Sequence, residues 1–124
     1  MKFILTVVCC FFLFSLRAQL ANTQWKGTVH IPDEHPVLWQ FDKDTVKVFF
    51  TDNSEAPEIM TYKEDQDKKT VTITKISGGS PCANGTVGVY TYDLADDKLK
   101  MKPSQEPCDG RAGAVAGAVY SRVK

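Results

Sequence analysis

Short runs in which apolar and polar residues alternate recur along most of this chain. In TVKVFF, Val46, Val48 and Phe50 share one face, and the residues between them fall on the other face. Leu99 and Met101 alternate in the same way with the lysines of KLKMK. A period of two with one polar face is typical of an antiparallel β-sheet that buries one side and exposes the other to water.

Eight runs rich in Val, Ile, Thr, Phe and Tyr are separated by polar turn clusters, most of them of hairpin length. They cover residues 24–31, 36–41, 45–50, 58–64, 70–76, 85–94, 98–102 and 117–124. We predict an all-β fold in which eight antiparallel strands close into an up-and-down barrel, because closure removes exposed sheet edges. A small β-sandwich is the alternative. The alanine-rich stretch 110–117 predicts one short helical turn before the last strand.

The amino terminus differs from the rest of the chain. A basic start is followed by an apolar run, residues 3–16, and then by the short segment RAQLAN. This order is typical of a secretory signal peptide, and the run is shorter than the roughly 20 apolar residues of a membrane span. We predict a signal peptide of residues 1–18, with Gln19 or Ala21 as alternative last residues, and a single mature domain of residues 19–124. The mature protein is expected in the periplasm or the extracellular medium.

The charge pattern narrows the choice of partners. The 15 basic and 15 acidic residues balance to a formal charge of zero, and the two signs are interspersed. No basic stripe marks a nucleic-acid surface, so nucleic acid is not expected as a partner. No membrane span is expected once the signal peptide has been removed.

The four cysteines divide into two groups. Cys9 and Cys10 leave with the predicted signal peptide, and a lipidation signal there is disfavoured because no small residue precedes them. The mature domain then keeps only Cys82 and Cys108, each preceded by proline. Two cysteines in an exported domain usually pair, so we predict a Cys82–Cys108 disulfide. A zinc site or a catalytic thiol is disfavoured, because neither cysteine has a second cysteine two residues away and both histidines are distant in sequence.

The segment HIPDEHP, residues 30–36, holds the residue types of a metal site, because imidazole and carboxylate groups together suit zinc. Its two prolines prevent a regular helix that would align these ligands. A polar loop is therefore the favoured interpretation, and no metal or other cofactor is predicted. No Ser-His-Asp spacing, phosphate loop or carboxylate pair points to catalysis, so we predict no enzyme activity. Asp93 and Glu64 are the acids to examine for a catalytic role.

Aromatic and methionine side chains are spread over several predicted strands. An eight-stranded barrel is just wide enough to be packed solid or to hold one small ligand, so these side chains form either a packed core or a pocket wall. In a pocket, the tyrosine hydroxyls are the polar anchors. Arg111 either reaches a ligand carboxylate at the barrel mouth or pairs locally with Asp109. The predicted ligand-binding residues are Trp39, Phe41, Met60, Tyr62, Tyr90, Tyr92 and Arg111.

The stretch from Ser80 to Lys124 carries an ordered set of motifs. It runs from Pro-Cys through Gly-x-x-x-x-Tyr and Leu-x-Met to Pro-Cys-Asp-Gly-Arg and an aromatic-Ser-Arg ending. Together with Trp25 and Gly27 in the first strand, this stretch resembles the bacterial lipocalin-like proteins, which are calycin-type exported barrels. The resemblance implies an eight-stranded barrel whose cup holds a small apolar ligand, and it implies that Trp25 packs with Arg122.

Two functions from different classes remain after these arguments. The favoured hypothesis is non-enzymatic binding of a small apolar or amphipathic ligand inside the barrel. The alternative is a protein-binding or enzyme-inhibitory barrel that acts through its loops at residues 30–36 and 51–58, since loops on a rigid scaffold commonly carry binding. The sequence identifies no particular protein partner.

Overall fold

The computed structural model describes residues 19–30 and 33–124. Within these ranges, eight β-strands follow one another around a closed antiparallel barrel, and one α-helix precedes the last strand. In chain order the elements are β1 (Thr23–His30), β2 (Glu34–Phe41), β3 (Thr45–Phe50), β4 (Glu58–Asp65), β5 (Thr70–Ser77), β6 (Val87–Ala95), β7 (Lys98–Gln105), α1 (Asp109–Val115) and β8 (Val119–Arg122). The predicted signal peptide, residues 1–18, lies outside the described residues.

Each strand pairs with the next one along the chain, and β8 pairs both with β7 and with β1. The β1–β8 ladder is short and places Trp25 opposite Arg122 and Lys26 opposite Ser121. The predicted up-and-down barrel is therefore confirmed, and the sandwich alternative is wrong because a single sheet closes on itself.

The alternation in the sequence decides which side chains fill the barrel. Val46 and Val48 of β3 are buried, as are Leu99 and Met101 of β7. Because successive side chains of a strand point to opposite faces, the residues between them face outward.

The strand β6 is apolar on both faces, and the structure shows which face is internal. Gly88, Tyr90 and Tyr92 are buried, whereas Val87 and Thr91 are exposed. Tyr90 and Tyr92 therefore lie on the side of β6 that faces the barrel interior.

Gly27 in β1 allows a close approach between strands. A Cβ at this position would lie 2.5 Å from Cδ1 of Tyr120 in β8, well inside the roughly 3.5 to 4.0 Å of an ordinary carbon contact. The missing side chain therefore makes room for the fully buried Tyr120 ring next to the short ladder that closes the barrel.

One end of the barrel, which we call the closed end, is sealed by the segment before β1. Leu20 is fully buried there. The backbone N–H groups of Gln19 and Leu20 donate to the two carboxylate oxygens of Glu64, at 2.9 and 3.0 Å. The Leu20 carbonyl accepts from the Thr23 hydroxyl, which in turn accepts from the indole N–H of Trp25 at 2.8 Å. These bonds hold residues 19–22, which we call the plug, against the closed end of the barrel.

The opposite end, which we call the cavity end, carries α1 and the disulfide. Cys82 lies in the loop between β5 and β6, and Cys108 directly precedes α1. Their Cα atoms are 5.7 Å apart and their sulfurs are bonded, so the predicted pairing is confirmed. The predicted helical turn is also confirmed, as a helix of seven residues. No helix within the described ranges has the length and apolar character needed to cross a membrane.

Candidate functional site

A cavity of about 200 Å³ lies between α1 and the barrel interior. Its wall is mainly apolar because strands β1 to β4 each direct buried or partly buried apolar side chains toward it. The apolar residues that line it are Val29, Trp39, Val48, Phe50, Ala56, Met60, Pro81, Ala114 and Val115. The polar residues that line it are Glu55, Glu58, Ser80 and Arg111. This combination of an apolar wall with a few polar groups is typical of small-molecule sites.

Three of the seven predicted ligand-binding residues line this cavity: Trp39, Met60 and Arg111. The other four lie outside its lining, at Phe41, Tyr62, Tyr90 and Tyr92. The structure therefore separates the predicted residues into a cavity group and a core group.

Aromatic packing fills the barrel below the cavity. The rings of Trp39 and Phe41 stack at 6.0 Å, and Phe41 meets Tyr62 edge-to-face at 5.1 Å. The Tyr62 hydroxyl donates to the backbone carbonyl of Asp42. Burial, reinforced by the charge of Glu64, raises the pKa of Tyr62 to about 12. Tyr62 is thus a neutral member of the core at ordinary pH.

Arg111 pairs with Glu106 at the edge of the cavity. The guanidinium donates through Nε to Oε2 of Glu106 at 2.6 Å and through Nη2 to Oε1 at 3.0 Å. Nη2 also donates to the carbonyl of Thr86, and the Tyr90 hydroxyl donates to the same Glu106 carboxylate. The sequence-based suggestion of a local pair with Asp109 is wrong, because Glu106 occupies the fork of the guanidinium.

The pair is buried, and its charges support each other. The Glu106 and Arg111 side chains are only 1% and 9% exposed. Burial acts to raise the pKa of Glu106, but hydrogen bonds from Arg111 and Tyr90 outweigh it and the pKa lies below its usual range. Burial likewise acts to lower the pKa of Arg111, and Glu106 more than offsets it. Burial, with the bond to Glu106, raises the pKa of the Tyr90 hydroxyl. All three groups keep their ordinary charge states at neutral pH.

Gly88 on β6 makes room for this pair inside the barrel. A Cβ at position 88 would lie 2.1 Å from Oε2 of Glu106 and 2.9 Å from Nη2 of Arg111. Any side chain here would displace the ion pair. Gly88 therefore has a packing role next to the cavity.

A second buried cation, Lys75, lies on β5 next to the loop that carries Cys82. The Lys75 side chain is 2% exposed, and its ammonium contacts Oε1 of Glu58 at 3.1 Å. The ammonium also donates to the Ser80 carbonyl and hydroxyl and to the Cys82 carbonyl, at 2.9, 3.0 and 2.7 Å. These bonds tie the loop that carries Cys82 to β4 and β5. Sequence reasoning missed Lys75, although its phase in TVTITKI matches that of the inward-facing Val71 and Ile73.

The acids named as possible catalytic groups are placed elsewhere. Glu64 holds the plug of the closed end, and Asp93 is exposed on β6 opposite Lys100.

The residues that suggested a metal site diverge into separate pairs. His30 lies 3.7 Å from Glu34, and His35 lies 3.0 Å from Asp52. In the described ranges, no group of three or more His, Cys, Asp or Glu side chains is arranged to hold a metal ion.

A wider depression of about 540 Å³ lies at the closed end, between Lys43 and residues 62–67. It is formed by two hairpin turns that carry mainly exposed charged side chains. Such a surface groove gives an apolar molecule little to bury against. The cavity under α1 is therefore the better candidate for a binding site.

Comparison with models of known protein families, with curated proteins and with solved structures gave no match for this chain. The site is therefore interpreted from its own geometry. It can enclose a small apolar molecule and offer it a buried hydrogen-bond donor from Arg111.

Proposed function

We propose that this protein is an exported, lipocalin-like binding protein that holds a small apolar or amphipathic molecule under α1 without transforming it chemically. The cavity of about 200 Å³ carries this proposal. Its wall combines aliphatic and aromatic side chains with few polar groups. The transfer of an apolar ligand from water into this cavity is therefore favourable.

The volume limits the size of the ligand. An apolar protein cavity of about 150 Å³ is large enough to take up benzene. A cavity of about 200 Å³ therefore suits a molecule of about ten non-hydrogen atoms. A longer ligand would have to extend out of the cavity past exposed lining residues, such as Glu55 and Ala56 in the β3–β4 loop.

Native mass spectrometry tests the proposal on the mature domain produced in an oxidising compartment. We expect a retained compound of about 100 to 200 Da, in line with the size argument. Ala114→Phe places a ring into the cavity from α1 and should abolish retention. Ala116→Phe at the exposed end of the same helix is the matched control and should retain the compound.

An empty native protein that also fails to take up added small apolar compounds would overturn the proposal. Capture of a defined protein partner that is lost on substitution within residues 51–56 would then favour the loop-mediated alternative.

A further inference from the structure

The positive charge of Arg111 is already matched by a buried carboxylate. Glu106 accepts two hydrogen bonds from the guanidinium fork, which is the geometry that a ligand carboxylate would otherwise use. An anionic ligand would have to displace Glu106 or leave two carboxylates beside one cation. The site is therefore not built to receive an anion.

The remaining charges at the cavity end strengthen this conclusion. The described stretches at that end, counted with the adjoining strand ends and α1, are residues 33–35, 51–58, 75–86 and 105–118. They carry seven carboxylates but only two cationic side chains, Lys75 and Arg111. Both cations are engaged in the ion pairs described above. Glu55 and Glu58 line the cavity itself. A negatively charged ligand would therefore lie at short range from charges of the same sign.

One nitrogen of Arg111 nevertheless remains available to a ligand. Its Nη1 lies 3.9 Å from the sulfur of Met60, another cavity residue. Within the described residues, the oxygen acceptors of this guanidinium are bonded to Nε and Nη2 rather than to Nη1. Thioether sulfur is a weak acceptor, so a ligand oxygen is a better partner for this buried donor.

We propose that the cavity selects a neutral ligand that carries a hydrogen-bond acceptor, such as the oxygen of a ketone, an ester or an ether. Its apolar body packs between α1 and the strands, and its oxygen accepts from Nη1 of Arg111. A carboxylate analogue is rejected by Glu106, Glu58 and Glu55. This inference rests on the proposed function, because it specifies the ligand class of the same cavity.

Four aromatic probes of nearly equal size test the inference by calorimetric titration at neutral pH: acetophenone, ethylbenzene, benzoate and benzylamine. We expect acetophenone to bind at least about tenfold more tightly than benzoate and benzylamine, because a neutral acceptor gains a charge-assisted hydrogen bond without burying an unmatched charge. Ethylbenzene reports the contribution of the apolar body alone.

Arg111→Lys assigns the hydrogen bond, because lysine keeps a cation near Glu106 but has a single terminal nitrogen. We expect it to weaken acetophenone binding by about tenfold and to change ethylbenzene binding by less than about threefold. Arg122→Lys, at an exposed position in β8, is the matched control and should change neither.

The outcomes separate the inference from the proposed function. If benzoate or benzylamine binds most tightly, or if Arg111→Lys weakens acetophenone and ethylbenzene equally, the ligand class is wrong while the binding cavity stands. If none of the four probes binds, both proposals fail. If Arg111→Lys does not fold, the order of the four probes on the natural protein decides the question.

Discussion

Removing the positive charge of Arg111 is a direct test of the buried pair beside the cavity. The Glu106 carboxylate is 1% exposed, so Arg111→Met leaves a buried charge without its counter-ion. Such changes commonly cost 3–5 kcal/mol. Because the Tyr90 hydroxyl and the Cys108 backbone N–H still donate to Glu106, we expect a loss near the lower limit, about 3 kcal/mol. This is a large share of the roughly 5–15 kcal/mol that stabilises a typical domain.

The loss should depend on pH with a defined sign. In the natural protein the folded pKa of Glu106 is lowered. The stability that it contributes is therefore present above the unfolded pKa of about 4.3 and is lost as pH falls through the folded value. In Arg111→Met, we expect burial, the largest single influence on this carboxyl, to raise its pKa. The variant should then lose stability as pH rises from about 4 to about 7, while this group stabilises the natural protein over the same interval.

Urea unfolding followed by the fluorescence of the buried Trp25 and Trp39 measures both effects. The matched control is the double variant Glu106→Gln/Arg111→Met, in which a neutral amide still accepts from Tyr90. We expect it to recover most of the loss, because no charge is left buried. Equal stability of the single variant and the natural protein would refute the reasoning. A double variant as unstable as the single variant would also refute it.

Three further changes test other parts of the structure by urea unfolding. Gly88→Ala should destabilise the protein by about 1–3 kcal/mol through overpacking, because its Cβ would lie 2.1 Å from a carboxylate oxygen of the buried pair; an unchanged midpoint would contradict this. Replacing Cys82 and Cys108 by serine should lower the free energy of unfolding by roughly 3–4 kcal/mol, as expected for a sequence separation of 26 residues. A reductant should lower the stability of the unsubstituted protein and leave that of the serine variant unchanged. Glu64→Ala should lower the free energy of unfolding by about 1–3 kcal/mol, because two backbone N–H groups lose their acceptor. Asp93→Ala, at an exposed position, is the control and should lower it by less than about 0.5 kcal/mol. Equal losses in the two variants would contradict the role of Glu64 in holding the plug.

The barrel was predictable because local alternation and hairpin-length connections agree with the long-range pairing. The inward phase of β3 and β7 can be read directly from TVKVFF and KLKMK. The disulfide was predictable from cysteine count and the expected export. These features depend on neighbours in sequence or on simple counting, so they require no knowledge of how distant strands are placed.

The position of a side chain along the barrel axis was not predictable in the same way. Periodicity places Met60 and Tyr62 on one face of β4, and Tyr90 and Tyr92 on one face of β6 whose inward side only the structure shows. The depth of these side chains depends on the stagger between neighbouring strands. That stagger decides that Met60 reaches the cavity whereas the three tyrosines pack outside its lining. The division of the predicted ligand-binding residues into a cavity group and a core group therefore depends on how the strands assemble into the barrel.

The buried charges were also hidden from sequence reasoning. Glu106 lies in a stretch with turn chemistry, where an acidic residue is ordinarily solvated. Its partner Arg111 and the space left by Gly88 are supplied by separate parts of the fold. Lys75 has an inward phase in its strand, but its acceptors come from a neighbouring strand and a loop. Burial of a charge depends on these distant partners, and no local pattern reveals them.

Methyl NMR of the methionines tests most directly whether the cavity under α1 binds a ligand. Met60 lines the cavity, whereas Met101 is buried in β7 outside its lining. In a titration of the ¹³C-methyl-labelled mature domain with acetophenone, we expect the Met60 methyl signal to shift in a saturable way and the Met101 signal to stay in place. A spectrum in which neither signal moves, or in which both move equally without saturation, would contradict a specific binding site under α1.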